Sequence, residues 1–211
     1  MKQVTIICTD AAHPVNPWLN RWAYSVKAQA EVRIVRDIDE VIGGDFLFLV
    51  SCHQIVRKSV RDLYRYSLVL HASALPQGRG MSPHIWQLLA GSLALTLTLL
   101  SAKDVVDSGD IWHQLEVPVA STELRDEINQ RLFDAEIQLM TWALENCEHT
   151  QPRAQTGTAS YHRRRTPADS KVDIDRPLVE YFDLLRVADP DRFPAFFIHR
   201  GQKYRIRIDK L

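Results

Sequence analysis

The pattern of apolar and polar positions predicts a chain in which strands and helices alternate. Short runs rich in Val, Ile, Leu and Phe, bounded by turn residues, are typical of buried strands, whereas apolar positions three or four residues apart are typical of helices. Strands are expected at residues 3–8, 31–35, 46–50, 67–70, 93–100 and 111–117, and helices at 18–29, 56–66 and 121–146. Ser121 is the expected cap of the last helix. This alternation favours an α/β fold with a Rossmann-like, mainly parallel sheet and flanking helices.

The C-terminal part of the chain has a different pattern. Residues 148–160 are rich in Thr, Gln and Gly and are expected to form a linker. The final segment alternates like a strand, so residues 196–199 and 203–208 are predicted to pair as a short β-hairpin across residues 199–202. The chain is therefore expected to divide into a main domain, residues 1–150, and an appendage, residues 151–211.

Composition and charge narrow the function classes. The 211 residues are 45% hydrophobic, which is enough for a sizeable core, and the 26 basic and 26 acidic residues cancel. A neutral chain has no global field for holding nucleic acid or an anionic membrane, so neither is an expected partner. Cys8, Cys52 and Cys147 show no metal-ligand spacing, and the first residues lack the pattern of a signal peptide. We expect a cytoplasmic protein without a metal site.

Two residues with proton-transfer chemistry follow predicted strands. His71 comes directly after the apolar run that ends at Leu70, where turn residues begin, and Asp107 opens the turn Asp107-Ser108-Gly109-Asp110 after the strand at 93–100. Ligands of open α/β sheets bind outside the carboxyl ends of the strands, so both side chains are expected at that edge. An imidazole, with an ordinary pKa of about 6.5, can move protons near neutral pH. A G-x-G-x-x-G fingerprint is missing, which argues against a nicotinamide cofactor.

The same stretch resembles a known family. The segment HASALPQGRG, which begins at His71, and the later DSGD turn are similar to the formyltransferase domain shared by methionyl-tRNA formyltransferases and sugar N-formyltransferases. In that family the His and the first Asp of the turn belong to a catalytic triad, which implies catalytic roles for His71 and Asp107. The triad's Asn would fall at Val69, which cannot donate a hydrogen bond.

Asn16 is a candidate for the missing amide. It lies in the loop after the first strand, between Pro14 and Pro17, which limit its freedom. The alternative is that Asn16 only caps the helix that follows.

The C-terminal segment also resembles the sugar enzymes. The run RRRTPADS from Arg163, together with the later LRVA and PAFF elements, is similar to their linker and closing segment, and HPVNPWL and GRGMSPHIW are most similar to aminosugar formyltransferases of pseudaminic-acid-type pathways. The resemblance implies a formyltransferase catalytic domain at residues 1–150 and a segment at 151–211 that completes the substrate cleft. A counterpart of the C-terminal tRNA-recognition domain is not evident, so a nucleotide-linked aminosugar is the expected acceptor.

The resemblance further implies the ligands and the residues that bind them. The formyl donor would be 10-formyltetrahydrofolate, without a metal, and a homodimer is compatible with the family. Folate-binding residues are expected to be Ser51, Cys52, Met81, Val105, Val106 and Asp110. Substrate-binding residues are expected to be Ser73, Arg79, Gly80, His162 and Arg163, although an arginine run such as 163–165 is also typical of a solvated face. A formyltetrahydrofolate hydrolase and a non-catalytic folate or nucleotide binder are the alternatives.

Overall fold

A six-stranded sheet forms the centre of the computed structural model, which describes residues 1–211. The strands are β1 Lys2–Ile7, β2 Ala30–Val35, β3 Gly44–Leu49, β4 Tyr64–His71, β5 Arg79–Gly80, β6 Ala94–Ser101, β7 Ile111–Pro118, β8 Tyr161–His162, β9 Ala195–His199 and β10 Gln202–Ile206. The helices are α1 Asn16–Ser25, α2 Lys58–Arg61, α3 Pro83–Leu89, α4 Arg125–Asn146 and α5 Phe182–Val187, with short 3-10 turns at Ile38–Glu40, Pro167–Ser170 and Leu178–Tyr181.

The order across the central sheet is β2-β1-β3-β4-β6-β7. The first four of these strands run parallel, and β6 and β7 are antiparallel to their neighbours. The predicted α/β fold with a Rossmann-like, mainly parallel sheet is confirmed.

The two faces of the sheet carry different layers, because alternate residues of a strand point to opposite sides. One face carries Phe46, Phe48, Leu68 and Leu70, which belong to a core of 30 buried residues shared with the helices α1 and α4. The other face of β4 carries Val69, which packs against a small cluster of Leu75, Leu100 and Ile111. His71 lies two residues after Val69 and therefore on this second face.

Helix boundaries differ from the sequence-based expectations in three places. The helix predicted at 56–66 is wrong in extent, because α2 covers only Lys58–Arg61 and β4 begins at Tyr64, whose hydroxyl donates to Thr5 at 2.9 Å. The helix predicted from Trp18 begins two residues earlier at Asn16, since a proline fits the first helical turn.

The third difference is at α4, which begins at Arg125 rather than at Ser121. The carboxylate of Glu127 accepts a hydrogen bond from the Leu124 N–H at 2.9 Å and so takes over the capping role predicted for Ser121.

The C-terminal segment contacts the main sheet and encloses its own small core. β8 pairs with β5, and the backbone of Arg153 bridges to Ile111 at the edge strand β7. β9 and β10 form the predicted antiparallel hairpin. Val187 of α5 is buried in the main core. None of the helices combines the length and the apolar character needed to cross a membrane.

Candidate active site

His71 ends β4 with both ring nitrogens facing oxygen atoms. Nε2 lies 2.9 Å from the carbonyl oxygen of Gly78, and Nδ1 lies 3.5 Å from Oδ1 of Asp107. Only 8% of His71 is exposed. A ring protonated on both nitrogens can donate to both acceptors, so this environment supports the cation that forms when the imidazole takes up a proton.

Asp107 reaches His71 by a route that differs from the expectation. Its turn follows β6, but β6 runs antiparallel to β4 and ends with Ser101 beside Leu68 rather than at the carboxyl edge. The connection between β6 and β7 folds back so that Asp107 meets His71 and accepts a hydrogen bond from the Gly80 N–H at 2.9 Å. The expectation that a strand end delivers the carboxylate to the shared edge is therefore wrong, although the contact of the two side chains is present.

The turn around Asp107 depends on close backbone approach. Asp107 has a φ of 56°, a left-handed conformation in which non-glycine residues are uncommon and often functional. A Cβ on Gly109 would lie 1.6 Å from the Ser101 carbonyl oxygen, so only glycine fits. Gln155 holds the turn from the other side, because its Nε2 donates to the carbonyls of Asp107 and Gly109 at 2.8 Å each.

The amide of Asn16 is engaged by protein atoms. Nδ2 donates to the carbonyls of Asp10, Ala11 and His13 at 3.1, 3.1 and 2.8 Å, and Oδ1 accepts from Arg36 at 2.7 Å. Asn16 is 8% exposed. This geometry favours a role in fixing the loop over the direct catalytic role that the sequence suggested.

His13, carried by that loop, is locked in one tautomer. Its Nδ1 accepts from the Val15 N–H at 3.2 Å, so the ring proton sits on Nε2, which lies 3.1 Å from Oγ of Ser51. The ring edge also contacts Phe133, with centroids 5.9 Å apart. Burial, reinforced by the nearby charge of Arg192, lowers the pKa of His13 to about 4. His13 is therefore neutral near pH 7.

His84, on the first turn of α3, is a second neutral imidazole near the site. Burial, reinforced by the nearby His71, His13 and Arg165, lowers its pKa to about 4. These neighbours come from β4, the first loop and the C-terminal linker, so the three parts of the chain converge here. Neither His13 nor His84 was selected from the sequence, since an isolated histidine carries no motif.

Five of the six residues predicted to bind folate fall into two groups. Met81, Val105 and Val106 are apolar yet 37%, 60% and 52% exposed, and the two valines precede Asp107 directly. Ser51 and Cys52 follow β3; the Cys52 thiol packs among the apolar residues of the second face and lies 3.5 Å from the Gln54 carbonyl.

Asp110, also predicted to bind folate, is held within the turn. Its carboxylate pairs with Lys103 at 2.9 Å, and its carbonyl accepts from the Ser101 N–H. Because Lys103 and the Ser101 N–H already bind Asp110, the structure indicates that this residue stabilises the turn.

The residues predicted to bind substrate come together around β5 and β8. Gly80 lies opposite His162, and a Cβ on Gly80 would come within 2.4 Å of the His162 carbonyl oxygen. Arg79 donates to Gln155 at 2.6 Å and to Tyr161 at 3.1 Å, while its Nε has no hydrogen-bond partner. The buried Ser73 hydroxyl also lacks a partner.

Arg163 is less available than predicted. It forms a two-pronged ion pair with Asp169, holding the pKa of that carboxyl well below its usual range. Its guanidinium lies over the ring of Trp86, 4.9 Å from the centroid, and the Trp86 ring also stacks with His162, with ring centroids 5.9 Å apart. Trp86 and Gln155 were not selected from the sequence. A tryptophan in a helical pattern is typical of a core residue, and Gln155 lies in a loop without a motif.

Comparison with known proteins adds three kinds of similarity. A family model described as Formyl transferase matches residues 5–144. A methionyl-tRNA formyltransferase of Agathobacter rectalis is 29% identical over 77% of this chain and 54% of its own length. The chain spans about half the length of this and the next two curated relatives.

Solved structures show the same fold at low identity. A methionyl-tRNA formyltransferase from Clostridium thermocellum aligns with a TM-score of 0.85 and 19% identity, covering 100% of this chain and 94% of that one. HypX from Aquifex aeolicus in complex with tetrahydrofolic acid gives 0.82 at 16% identity, covering 98% and 37%. A 4-N formyltransferase from Francisella tularensis gives 0.77 at 16% identity, covering 100% and 99%. The family match spans well over half of the sequence and includes both His71 and Asp107, and the chain belongs to the formyl transferase family.

Proposed function

We propose that the protein transfers a formyl group from 10-formyltetrahydrofolate to the primary amine of a nucleotide-linked 4-amino-4,6-dideoxy sugar, as in pseudaminic-acid-type or other surface-glycan biosynthesis. The observation that carries this proposal is the buried pair of His71 and Asp107, held between the Gly78 carbonyl and the Gly80 N–H. Formyl transfer to an amine needs a proton acceptor near the attacking nitrogen and a charge that supports the protonated acceptor. The reaction is proposed to run in the cytoplasm.

The proposed proton path uses His71 alone. As the acceptor nitrogen forms its bond to the formyl carbon, Nε2 of His71, which exchanges the Gly78 carbonyl for the acceptor amine, takes a proton from that nitrogen. Asp107, 3.5 Å from Nδ1, stabilises the resulting imidazolium. As the bond from the formyl carbon to the folate nitrogen breaks, the same proton passes to the leaving nitrogen. Atoms and charge then balance without a metal.

Exposed apolar side chains support a folate as the donor. Met81, Val105 and Val106 lie close in sequence to Gly80 and Asp107, and exposed apolar groups of this kind suit a flat heteroaromatic ring. A protein of the same fold has been solved with tetrahydrofolic acid. We propose that these three residues contact the pterin.

Unpaired hydrogen-bond donors support an oxygen-rich, anionic acceptor. The Ser73 hydroxyl and the Nε atoms of Arg79 and Arg165 are buried without a partner. Ser73 and Arg79 lie on either side of Gly78 in the sequence, whose carbonyl contacts His71, and Arg165 lies near His84 and lowers its pKa. Buried donors without protein acceptors are unusual, and phosphate or sugar oxygens would satisfy them. We propose that residues 151–211 complete this cleft, since β8 lies against β5.

A charged tRNA is the second candidate acceptor. It is favoured by the names of the sequence relatives, which are methionyl-tRNA formyltransferases. The neutral net charge of this chain offers no general field for RNA.

A panel assay tests the proposal. The purified protein would be incubated with 10-formyltetrahydrofolate and, in separate reactions, with UDP- and dTDP-linked 4-amino sugars, the corresponding 3-amino sugars and methionyl-tRNA. Mass spectrometry should detect one added formyl group on a nucleotide 4-amino sugar. Formylation of methionyl-tRNA at a comparable rate would replace the acceptor assignment with the second candidate, and release of formate in the absence of any acceptor at that rate would favour a hydrolase.

A further inference from the structure

The reaction described above leaves one charge without a protein partner. When the amine attacks, negative charge develops on the formyl oxygen, and enzymes that transfer acyl groups place a hydrogen-bond donor there. The position two residues before His71 on the same strand face holds Val69, which packs against Leu75, Leu100 and Ile111. Since neither Val69 nor the engaged amide of Asn16 is free to donate, the donor must come from another element.

Ser51 follows β3, the strand that pairs with the strand ending in His71. The last paired residues of β3 and β4 are Leu49 and Val69, so Ser51 and His71 each come two residues after this pair on neighbouring strands. The chain leaves the sheet at Ser51, which has a φ of 49° and is partly exposed. A non-glycine residue in this conformation at a strand end is a frequent feature of functional sites.

The Ser51 hydroxyl accepts a hydrogen bond from the protein but donates none to it. Nε2–H of His13 donates to Oγ at 3.1 Å, because Nδ1 of the same ring is already an acceptor for the Val15 N–H. Oγ makes no other hydrogen bond with the protein, so its own proton has no acceptor among the protein atoms. The incoming bond polarises the hydroxyl and strengthens it as a donor.

We propose that Ser51 donates a hydrogen bond to the oxygen of the formyl group during transfer, and that His13 is the positioning residue that orients and polarises this hydroxyl. The proposal rests on the formyl transfer assigned above. Ser51 exchanges no proton with the substrate; the bonds that form and break remain those at the formyl carbon, with the proton carried by His71.

Two further features support the pair. Burial lowers the pKa of His13 to about 4, so its ring stays neutral and keeps one tautomer near pH 7. Asn16 donates to the His13 carbonyl at 2.8 Å and fixes the loop that carries the ring. In this arrangement the Asn16 amide holds the loop that carries His13 and makes no contact with the reacting atoms.

Kinetics of four variants test the proposal in the full-length protein. Ser51→Ala should lower kcat by about a hundred- to a thousandfold, the usual effect of losing one donor to a developing oxyanion, with a much smaller change in KM. His13→Phe keeps the ring edge against Phe133 but removes both nitrogens, and it should lower kcat in the same direction. His13→Gln retains an N–H near Nε2 and should recover part of that loss. The double variant of Ser51→Ala and His13→Phe should be no slower than Ser51→Ala alone, because both changes remove one donor.

Ser25→Ala is the matched control, since this exposed hydroxyl at the end of α1 donates only to the Trp22 carbonyl. A wild-type-like kcat for Ser51→Ala, within about threefold, overturns the proposal while formyl transfer itself stands. Absence of formyl transfer by the wild-type protein with every acceptor overturns the proposed function and the donor role together.

A measurement without turnover tests the geometry. In protein labelled with ¹⁵N at histidine, the His13 ring should show the Nε2–H tautomer throughout pH 6 to 8, and Ser51→Ala should shift its Nε2 resonance. An Nδ1–H tautomer, or protonation of His13 within that range, contradicts the hydrogen bond to Ser51.

Discussion

Oδ1 of Asp107 lies 3.5 Å from Nδ1 of His71, although β6, the strand that precedes Asp107, ends beside Leu68 of β4 and runs away from His71. The contact exists because the connection between β6 and β7 folds back toward β4, where the Gly80 N–H donates to Oδ2 of Asp107 at 2.9 Å. A carboxylate fixed in this way can support a positive charge on the ring without moving.

We expect His71→Asn and Asp107→Asn each to lower turnover by roughly a hundredfold or more, with smaller effects on ligand binding. The first change removes the proton carrier, and the second leaves its cation without a counter-charge. Steady-state kinetics and a folate-binding titration separate the two effects. His149→Asn, an exposed histidine after α4, is the control. Near-wild-type turnover in either site variant would remove that residue from the mechanism.

Gly109→Ala should damage the site through the backbone. The new Cβ would meet the Ser101 carbonyl oxygen at 1.6 Å, so the turn must shift and carry Asp107 away from His71. We expect lower thermal stability and a loss of turnover. Gly91→Ala is a demanding control, because Gly91 has a φ of 82° but no heavy atom within 4 Å of its Cβ position. Equal effects of the two substitutions would show that steric contact at the turn is unimportant.

Asn16→Ala should lower stability and turnover together. The loop would lose hydrogen bonds to three carbonyls and the contact with Arg36, a cost of about 1–3 kcal/mol for buried polar groups. Chemical denaturation and kinetics measured on the same preparation compare the two effects, with the exposed Asn20→Ala as the control. A large fall in turnover at unchanged stability would instead assign Asn16 the direct role predicted from the sequence.

Glu136 should make stability depend on pH. It is 8% exposed on α4, Oε2 has no hydrogen-bond partner, and burial raises its pKa to about 8. Between the ordinary value near 4.5 and pH 8 the unfolded chain loses this proton while the folded chain keeps it, so stability should fall as pH rises, at up to about 1.4 kcal/mol per pH unit. Below pH 4.5 the contribution is constant.

The substitution Glu136→Gln should flatten this dependence in denaturation curves measured from pH 5 to 8. Glu145→Gln, at an exposed position of the same helix, should leave the slope unchanged. If the wild type and Glu136→Gln have parallel pH profiles, the carboxyl is ionised in the folded protein.

The apolar pattern was sufficient to predict most of the fold. The runs at 46–50 and 67–70 are buried strands because their side chains face apolar layers, and the alternation after Pro194 is a hairpin. Where the prediction was wrong, contacts between residues far apart in the sequence determined the secondary structure. Tyr64 joins a strand because its hydroxyl donates to Thr5 and its side chain packs in a buried cluster with Leu47, and local periodicity cannot reveal these contacts.

Within the candidate site, the sequence predicted the residues that lie in a recognisable motif and missed the contacts that depend on other residues. His71 and Asp107 lie in a recognisable pattern, and the structure brings them together. Ser51 and His13 meet because two loops converge, and Gln155 reaches the Asp107 turn from a linker without a motif. Partnerships of this kind depend on tertiary geometry, so a single sequence carries no signal for them.

The most direct test of the central claim is a competition assay. Wild-type protein would receive limiting 10-formyltetrahydrofolate with equal concentrations of a nucleotide-linked 4-amino sugar and methionyl-tRNA, and the products would be quantified by mass spectrometry, with His71→Asn as the background. We expect the formyl group on the sugar amine, at a kcat/KM at least about a hundredfold above that for the tRNA. Equal or preferential formylation of the tRNA, or transfer that persists in His71→Asn, would contradict the claim.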